Sequence, residues 1–231
     1  MAKVVEFFGL PGAGKTTLCG YLIDSLLERN IKVISYLDYR RKLPKYIVAL
    51  VRIKAIAQML KDFRLIIGYK KRTGGLTIDS LKRLSVIYQR INFIDHFTGD
   101  DTYDLIVIDQ WIVQELWSLS ANEQSIDKLL FAKTIEKLAD SSVFFVFCDA
   151  GIDICAARIA DRLHGASRFE GDDIAEVGEK LSPLVLNMAN FHSMVTDKCP
   201  TVCYLNTDKP AHENAQDLSQ KILTFLQSNL L

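Results

Sequence analysis

The residues with the clearest chemistry stand near the start of the chain. Residues 9–16 read Gly9-Leu10-Pro11-Gly12-Ala13-Gly14-Lys15-Thr16, with Thr17 next. Glycines at this spacing let the backbone turn tightly enough for successive N–H groups to point inward, which makes a cradle for phosphate oxygens. The pattern is G-x-x-x-x-G-K-[ST], in which a lysine reaches the β- and γ-phosphates of a nucleoside triphosphate and a hydroxyl ligates Mg²⁺. Gly9, Pro11, Gly12, Ala13, Gly14, Lys15, Thr16 and Thr17 are therefore the expected ATP contacts. A helix opening at Lys15 would aim the positive end of its dipole at the same anion.

Two further groups fit this cradle. Asp109 ends the apolar run Leu105-Ile106-Val107-Ile108, where a carboxylate can join Thr16 in holding Mg²⁺ or its water. If the phosphate acceptor is a hydroxyl, the same residue could instead take its proton. Arg158 and Arg162 are four apart and share a helix face, beside an apolar stripe of Ile152, Cys155, Ala156, Ile159 and Leu163; Arg168 lies in the loop beyond. Arginines closing from a lid stabilise the charge that spreads over the γ-oxygens, an effect worth about 10³–10⁵ in rate. They also exclude water, which would otherwise accept the phosphate. Lys15, Asp109, Arg158, Arg162 and Arg168 form the expected catalytic set, with Thr16 and Asp109 on the metal.

These groups need a scaffold, and the hydrophobic pattern supplies one. Apolar runs at 3–8, 31–37, 103–109, 142–149 and 201–206 read as strands, and they alternate with helical patterns at 15–29, 45–67, 78–97, 125–140, 151–163, 173–197 and 214–229. Such alternation implies a parallel sheet covered by helices on both faces. Asn30 suits a helix stop, Gly74 and Gly75 mark a break, and Pro183 is expected to start a new segment or kink its helix. The segment 45–67 is apolar on most faces with its basic residues not confined to one stripe, which favours a helix packed within a lobe over one lying on a membrane.

The bulk numbers fit one domain spanning 1–231 with an inserted lobe, expected at 38–100, and the arginine pattern puts the lid at 158–173. The chain has 231 residues, 49% of them hydrophobic, and no net charge. That balance hides an asymmetry. Residues 40–90 hold 14 of the 28 basic residues and only Asp62 and Asp79 in opposition, so this stretch carries +12 and the rest −12. The stretch is either a solvated basic face or a surface that meets something anionic, a nucleic acid or a membrane surface included. No run is long and apolar enough to span a bilayer, since Arg52 and Lys54 interrupt the best candidate at 46–60. The N-terminal residues lack the pattern of a signal peptide, and five cysteines without a CxxC pair fit reduced thiols, so a cytoplasmic location is expected.

With these pieces together, the chain resembles the nucleoside and nucleotide kinases of the P-loop class, nearest the thymidylate kinase branch. The resemblance is carried by GLPGAGKTT at 9–17, by Asp109 followed by Gln110-Trp111, and by R-x-x-x-R-(x)₅-R-F-E from Arg158 to Glu170. It implies a five-stranded parallel sheet in the order 2-3-1-4-5, an acceptor lobe after the second strand, and an arginine lid. It also suggests that the turn Asn206-Thr207-Asp208-Lys209-Pro210 lines the adenine pocket, which adds Asp208, Lys209 and Pro210, with Arg158, to the ATP contacts. Two departures concern the acceptor. Thymidylate kinases follow the strand-end aspartate with an arginine that grips the acceptor phosphate, and here Gln110 stands there. They carry Arg-Glu-Pro-Gly after the second strand, and here the chain reads Ser35-Tyr36-Leu37-Asp38-Tyr39-Arg40-Arg41. Gln110 can hydrogen-bond an amide edge or a hydroxyl but cannot neutralise a phosphate. Asp38, Arg40, Arg90, Gln110 and Trp111 are the candidate acceptor contacts.

Three functions remain open at this point. The first is an ATP-dependent kinase of a nucleotide or nucleoside. The second is a kinase of another anionic acceptor: a sugar phosphate, a glycan or lipid headgroup, or a nucleic-acid end. The third is a nucleotide-switched ATP-binding protein without an acceptor. The guanine-reading Asn-Lys-x-Asp is absent, since 206–209 reads Asn-Thr-Asp-Lys. A small-molecule acceptor and ATP with Mg²⁺ are the expected ligands, and a homodimer is compatible with all three.

Overall fold

Strand β1 (Lys3–Gly9) is buried along its whole length, as a central parallel strand covered on both faces must be. The computed structural model describes residues 2–73, 77–123, 127–139, 143–161, 173–199 and 201–227. Beside β1 lie β3 (Leu105–Ile108) and β4 (Val143–Asp149), with β2 (Val33–Ser35) outside β3 and β5 (Val202–Asn206) outside β4. All pairings are parallel. The order β2-β3-β1-β4-β5 is the one implied by the resemblance. The register sets Gly9 opposite Cys148 and Glu6 opposite Ile108, so the glycine cradle and the end of β3 emerge at the same carboxyl end of the sheet.

Helix α1 (Lys15–Leu27) opens at the end of the cradle and buries Leu18, Leu22 and Leu26 at helical spacing. The strand expected over 31–37 stops early. Ser35 caps the short helix α2 (Tyr36–Lys42), its Oγ accepting the Asp38 amide at 3.1 Å, and a capped first turn competes directly with continuing the strand. The helix expected over 45–67 divides at Asp62 into α3 (Lys45–Lys61) and α4 (Phe63–Thr73). Helix α5 (Ile78–Thr98) packs on α3 and leads into β3. Its N-cap, Thr77, exchanges bonds with Ser80 in a capping box.

Helix α6 (Ile112–Glu123) follows β3 where no element was expected, and α7 (Lys128–Ala139) is the shorter remainder of the helix expected at 125–140. Helix α8 (Ile152–Ala160) carries Arg158. Helix α9 (Ile174–Lys198) runs as one element through Pro183, so no new segment begins there. Its buried residues Val177, Leu181, Met188, Phe191 and Val195 keep helical spacing on both sides of the proline, and their packing outweighs the one backbone bond the proline removes. Helix α10 (Ala211–Gln227) closes the fold on α1. Lys3 ties its end to β1, with Nζ donating to the carbonyls of Phe225 and Leu226 and lying 4.3 Å from the centroid of the Phe225 ring. All five cysteines are buried and free.

Candidate active site

The cradle has the backbone that its glycines predict. Gly12 and Gly14 lie at φ 82° and 80°, in the left-handed region that L side chains avoid. At Gly12 space is also lacking: a Cβ there would collide with the carbonyl of Cys155 in α8. Gly14 caps α1 without a side-chain bond, which leaves the first-turn N–H groups of that helix directed at the cradle. Lys15 is buried, and its Nζ donates to the Gly9 carbonyl at 2.9 Å and the Leu10 carbonyl at 2.8 Å. Its ammonium is thereby held across the mouth of the loop.

The second half of the site comes from β3. Thr16 Oγ donates to Asp109 Oδ2 at 3.0 Å, which brings together the two groups expected on the metal side, 93 residues apart in sequence. A hydroxyl and a carboxylate at this spacing are hard oxygen donors of the kind Mg²⁺ takes, so the donor set fits that ion. Asp149, at the end of β4, is otherwise engaged. Its Oδ2 accepts the Tyr204 hydroxyl at 2.5 Å, and its backbone carbonyl accepts the Thr207 amide and hydroxyl at 2.7 and 2.8 Å.

A cavity of about 280 Å³ opens beside the cradle, lined by Gly12, Thr17, Arg158, Thr207, Lys209 and Asn214 among others. Arg158 bridges its two walls. Its Nη2 donates to the Thr207 carbonyl at 2.9 Å, while Nη1 is buried without a partner among the described residues and sits 3.5 Å from where a Cβ on Gly14 would be. Of the residues expected on the adenine side, Lys209 lines the cavity. Asp208 instead accepts the Gly151 amide at 3.1 Å, and Pro210 is exposed with its carbonyl accepting the Asn214 amide. Arg162 and Arg168, and with them most of 158–173, lie outside the described residues.

The acceptor candidates are less convergent. Asp38 is exposed, and the Ser35 hydroxyl and then Arg41 hold its carboxyl below the usual range. Burial raises the Tyr36 phenol, and Arg40 and Arg90 both oppose that shift, so these three side chains share one neighbourhood. Arg90 is not free there: Nη1 donates to the Trp111 carbonyl at 2.7 Å and Nη2 pairs with Glu115 at 3.2 Å. Gln110 is exposed beside Asp109. Trp111 is fully buried with its ring 5.6 Å from Phe97; the structure gives this side chain to the core and not to an open cleft.

Three residues at the site escaped the sequence reasoning. Gln114 in α6 accepts the Gly9 amide at 3.0 Å and so fixes the start of the cradle. Glu6 in β1 accepts the amides of Val113 and Gln114 at 2.7 and 3.2 Å through Oε1, which satisfies the N-terminus of α6. Burial pushes its carboxyl up to about 8, against the pull of those amides and of Arg90. Asn214 donates to the Asn206 carbonyl at 2.9 Å and holds the turn that walls the cavity. Only Glu6 carries a local signal, as a lone acid within an apolar strand. The cysteines nearest the cradle are packing groups: burial raises the thiols of Cys19, Cys148 and Cys155, Cys148 to about 12 and Cys155 to about 11, so they stay protonated at neutral pH.

No protein-family model and no curated protein matches this chain. Solved structures do. Thymidylate kinase from Candida albicans aligns over 96% of this chain and 92% of its own at 16% identity with a TM-score of 0.51. Deoxyadenosine kinase from M. mycoides, in a structure with bound dCTP, aligns over 96% and 99% at 12% identity with a TM-score of 0.45. With its five parallel strands in the order 2-3-1-4-5 and its glycine cradle between β1 and α1, the chain has the fold of the P-loop nucleoside and nucleotide kinases.

Proposed function

We propose that this chain is an ATP-dependent phosphotransferase that moves the γ-phosphate of ATP to a nucleoside or nucleotide. The observation that carries the proposal is the Thr16–Asp109 contact at 3.0 Å, set beside a buried lysine and a base-sized cavity. Lys15 would exchange the Gly9 and Leu10 carbonyls for phosphate oxygens, a trade that keeps the ammonium paired throughout. Thr16 and Asp109 would hold Mg²⁺, which when bound neutralises charge on the β- and γ-phosphates. Arg158 supports the scheme twice: Nη2 secures the cavity wall, and Nη1 is a donor beside Gly14 with no acceptor among the described residues. Asp109 is also the carboxylate able to take a proton from an acceptor hydroxyl. Arg162 and Arg168 complete the lid in this proposal.

One observation favours a second acceptor class. Among the described residues Arg90 is occupied by Glu115 and the Trp111 carbonyl, and Gln110 stands where the resemblance puts an arginine that grips a nucleotide's phosphate, while the +12 charge of residues 40–90 stays available to an anion of another shape. A sugar phosphate or another non-nucleotide anion fits that arrangement.

The test is a panel of nucleosides, nucleotides and sugar phosphates with γ-labelled ATP, read as label on the acceptor. Transfer to a nucleoside or nucleotide supports the first reading, and transfer only to a sugar phosphate supports the second. Slow ATP hydrolysis stimulated by no acceptor would leave a nucleotide-switched binding protein. The variant Lys15→Ala is expected to lose measurable Mg·ATP binding in calorimetry while keeping the wild-type circular dichroism spectrum. Unchanged ATP affinity in that variant would remove the nucleotide site itself.

A further inference from the structure

Helix α3 has a face that the fold does not use. Val51 and Ala55 are fully buried on the side packed against α5. On the opposite side Tyr46, Leu50, Ile53, Ile56 and Leu60 are all between 49% and 68% exposed, and Phe63 continues the stripe onto α4 at 56%. At 3.6 residues per turn the five α3 residues fall within one sector of about 120°. Lys45 and Arg52 border this sector on one side and Lys54 and Lys61 on the other, all exposed. Among the described residues, the ion pairs include none of these four. Helix α3 contains no Asp or Glu. The sequence suggested a helix packed within a lobe; the fold buries only one face of it, because α5 covers one side and the next helix begins only after the break at Asp62.

We propose that this face docks on an anionic lipid surface, with α3 lying in the plane of the interface. An apolar stripe flanked on both sides by lysine and arginine is the pattern that inserts its apolar side chains at the headgroup–acyl boundary while the cations meet lipid phosphates. The long basic side chains reach up to the headgroups from the borders of the stripe. Among the described residues no helix is long and apolar enough to cross a membrane, so the contact is with one leaflet. A second copy of the chain is the poorer occupant. Two α3 helices pairing through this stripe would set Lys and Arg against Lys and Arg along both flanks of the seam, where helix pairs carry complementary charges. A nucleic acid would meet the cations but leave five apolar side chains in water. The face lies on α3, between β2 and β3 in the chain, whereas the cavity beside the cradle is walled by the cradle, α1, α8 and the turn after β5, and none of its described lining residues comes from α3. Docking and nucleotide binding are therefore compatible, and the surface does not depend on what the chain phosphorylates.

Sedimentation of the full chain with vesicles of one part phosphatidylglycerol to two parts phosphatidylcholine tests the proposal, with pure phosphatidylcholine vesicles as control. The wild type is expected to bind the anionic vesicles and to be released by high salt. Lys54→Gln and Lys61→Gln should each weaken binding about fivefold, and Ile53→Glu about tenfold or more. All three should melt at the wild-type temperature, because the replaced side chains are exposed. The proposal is overturned if anionic vesicles bind no better than neutral ones. Full binding by Ile53→Glu would also overturn it, since a basic patch alone would then suffice. So would light scattering that finds a wild-type dimer and an Ile53→Glu monomer, which would give the face to a second copy.

Discussion

Glu6 lies in the middle of β1 with one carboxylate oxygen bonded to two amides of α6 and the other, Oε2, buried without a partner among the described residues. Its carboxyl is raised to about 8 by burial, so the folded chain holds a proton that the unfolded chain releases above the ordinary carboxylate range. The sign follows: stability is fullest below that range and declines as pH rises toward about 8. Glu6→Gln keeps the acceptor for Val113 and Gln114 and cannot ionise. Between about pH 5 and about pH 9 the wild-type Tm should therefore fall several degrees further than that of Glu6→Gln in scanning calorimetry; parallel curves would mean that Glu6 is already charged. Arg158 is the second residue with a separable role. If Nη1 serves the transferring phosphate, Arg158→Ala lowers kcat by roughly 10²–10³ and weakens ATP binding much less. Equal losses would reduce it to a prop for the Thr207 turn.

At the scale of elements, the cradle depends on helices that follow it by a hundred residues or more. Helix α8 comes so near that its Cys155 carbonyl occupies the space of a Gly12 side chain. Gly12→Ala should accordingly destabilise the chain by about 1–3 kcal/mol, from the left-handed backbone and the collision together, and weaken nucleotide binding in the same variant. Equilibrium urea unfolding with nucleotide titration would measure both. Helix α6 shows why one element was not legible. Residues 112–123 have no N-cap hydroxyl or carboxylate of their own; the amides at their start are satisfied by Glu6 from a strand 107 residues earlier in sequence. In α2 the opposite holds: Ser35 and Asp38 are local capping residues, yet the apolar character of 31–37 outweighed them in the expectation of a strand.

For the whole molecule, the separation of charge into a +12 segment and a −12 remainder bears on the acceptor. If the acceptor is a polyanion, its KM should rise steeply with salt as counterions compete; for a single nucleotide the dependence between low and moderate salt should be shallow. Steady-state kinetics at two ionic strengths separate these outcomes. By itself, the sequence determined the glycine turn after the first strand and the alternation of strands with helices, because both rest on local rules: glycines that permit a turn, and apolar runs whose period reports burial. Residues 9–17 and Asp109 were legible for that reason. Only the tertiary structure decided which polar groups hold the cradle in place, since Gln114 and Glu6 act on backbone amides 105 to 108 residues away in sequence. It also took Trp111 into the core and turned one apolar face of α3 outward. Hydropathy records that a residue is apolar, but whether it is covered depends on which other helix the chain folds against it.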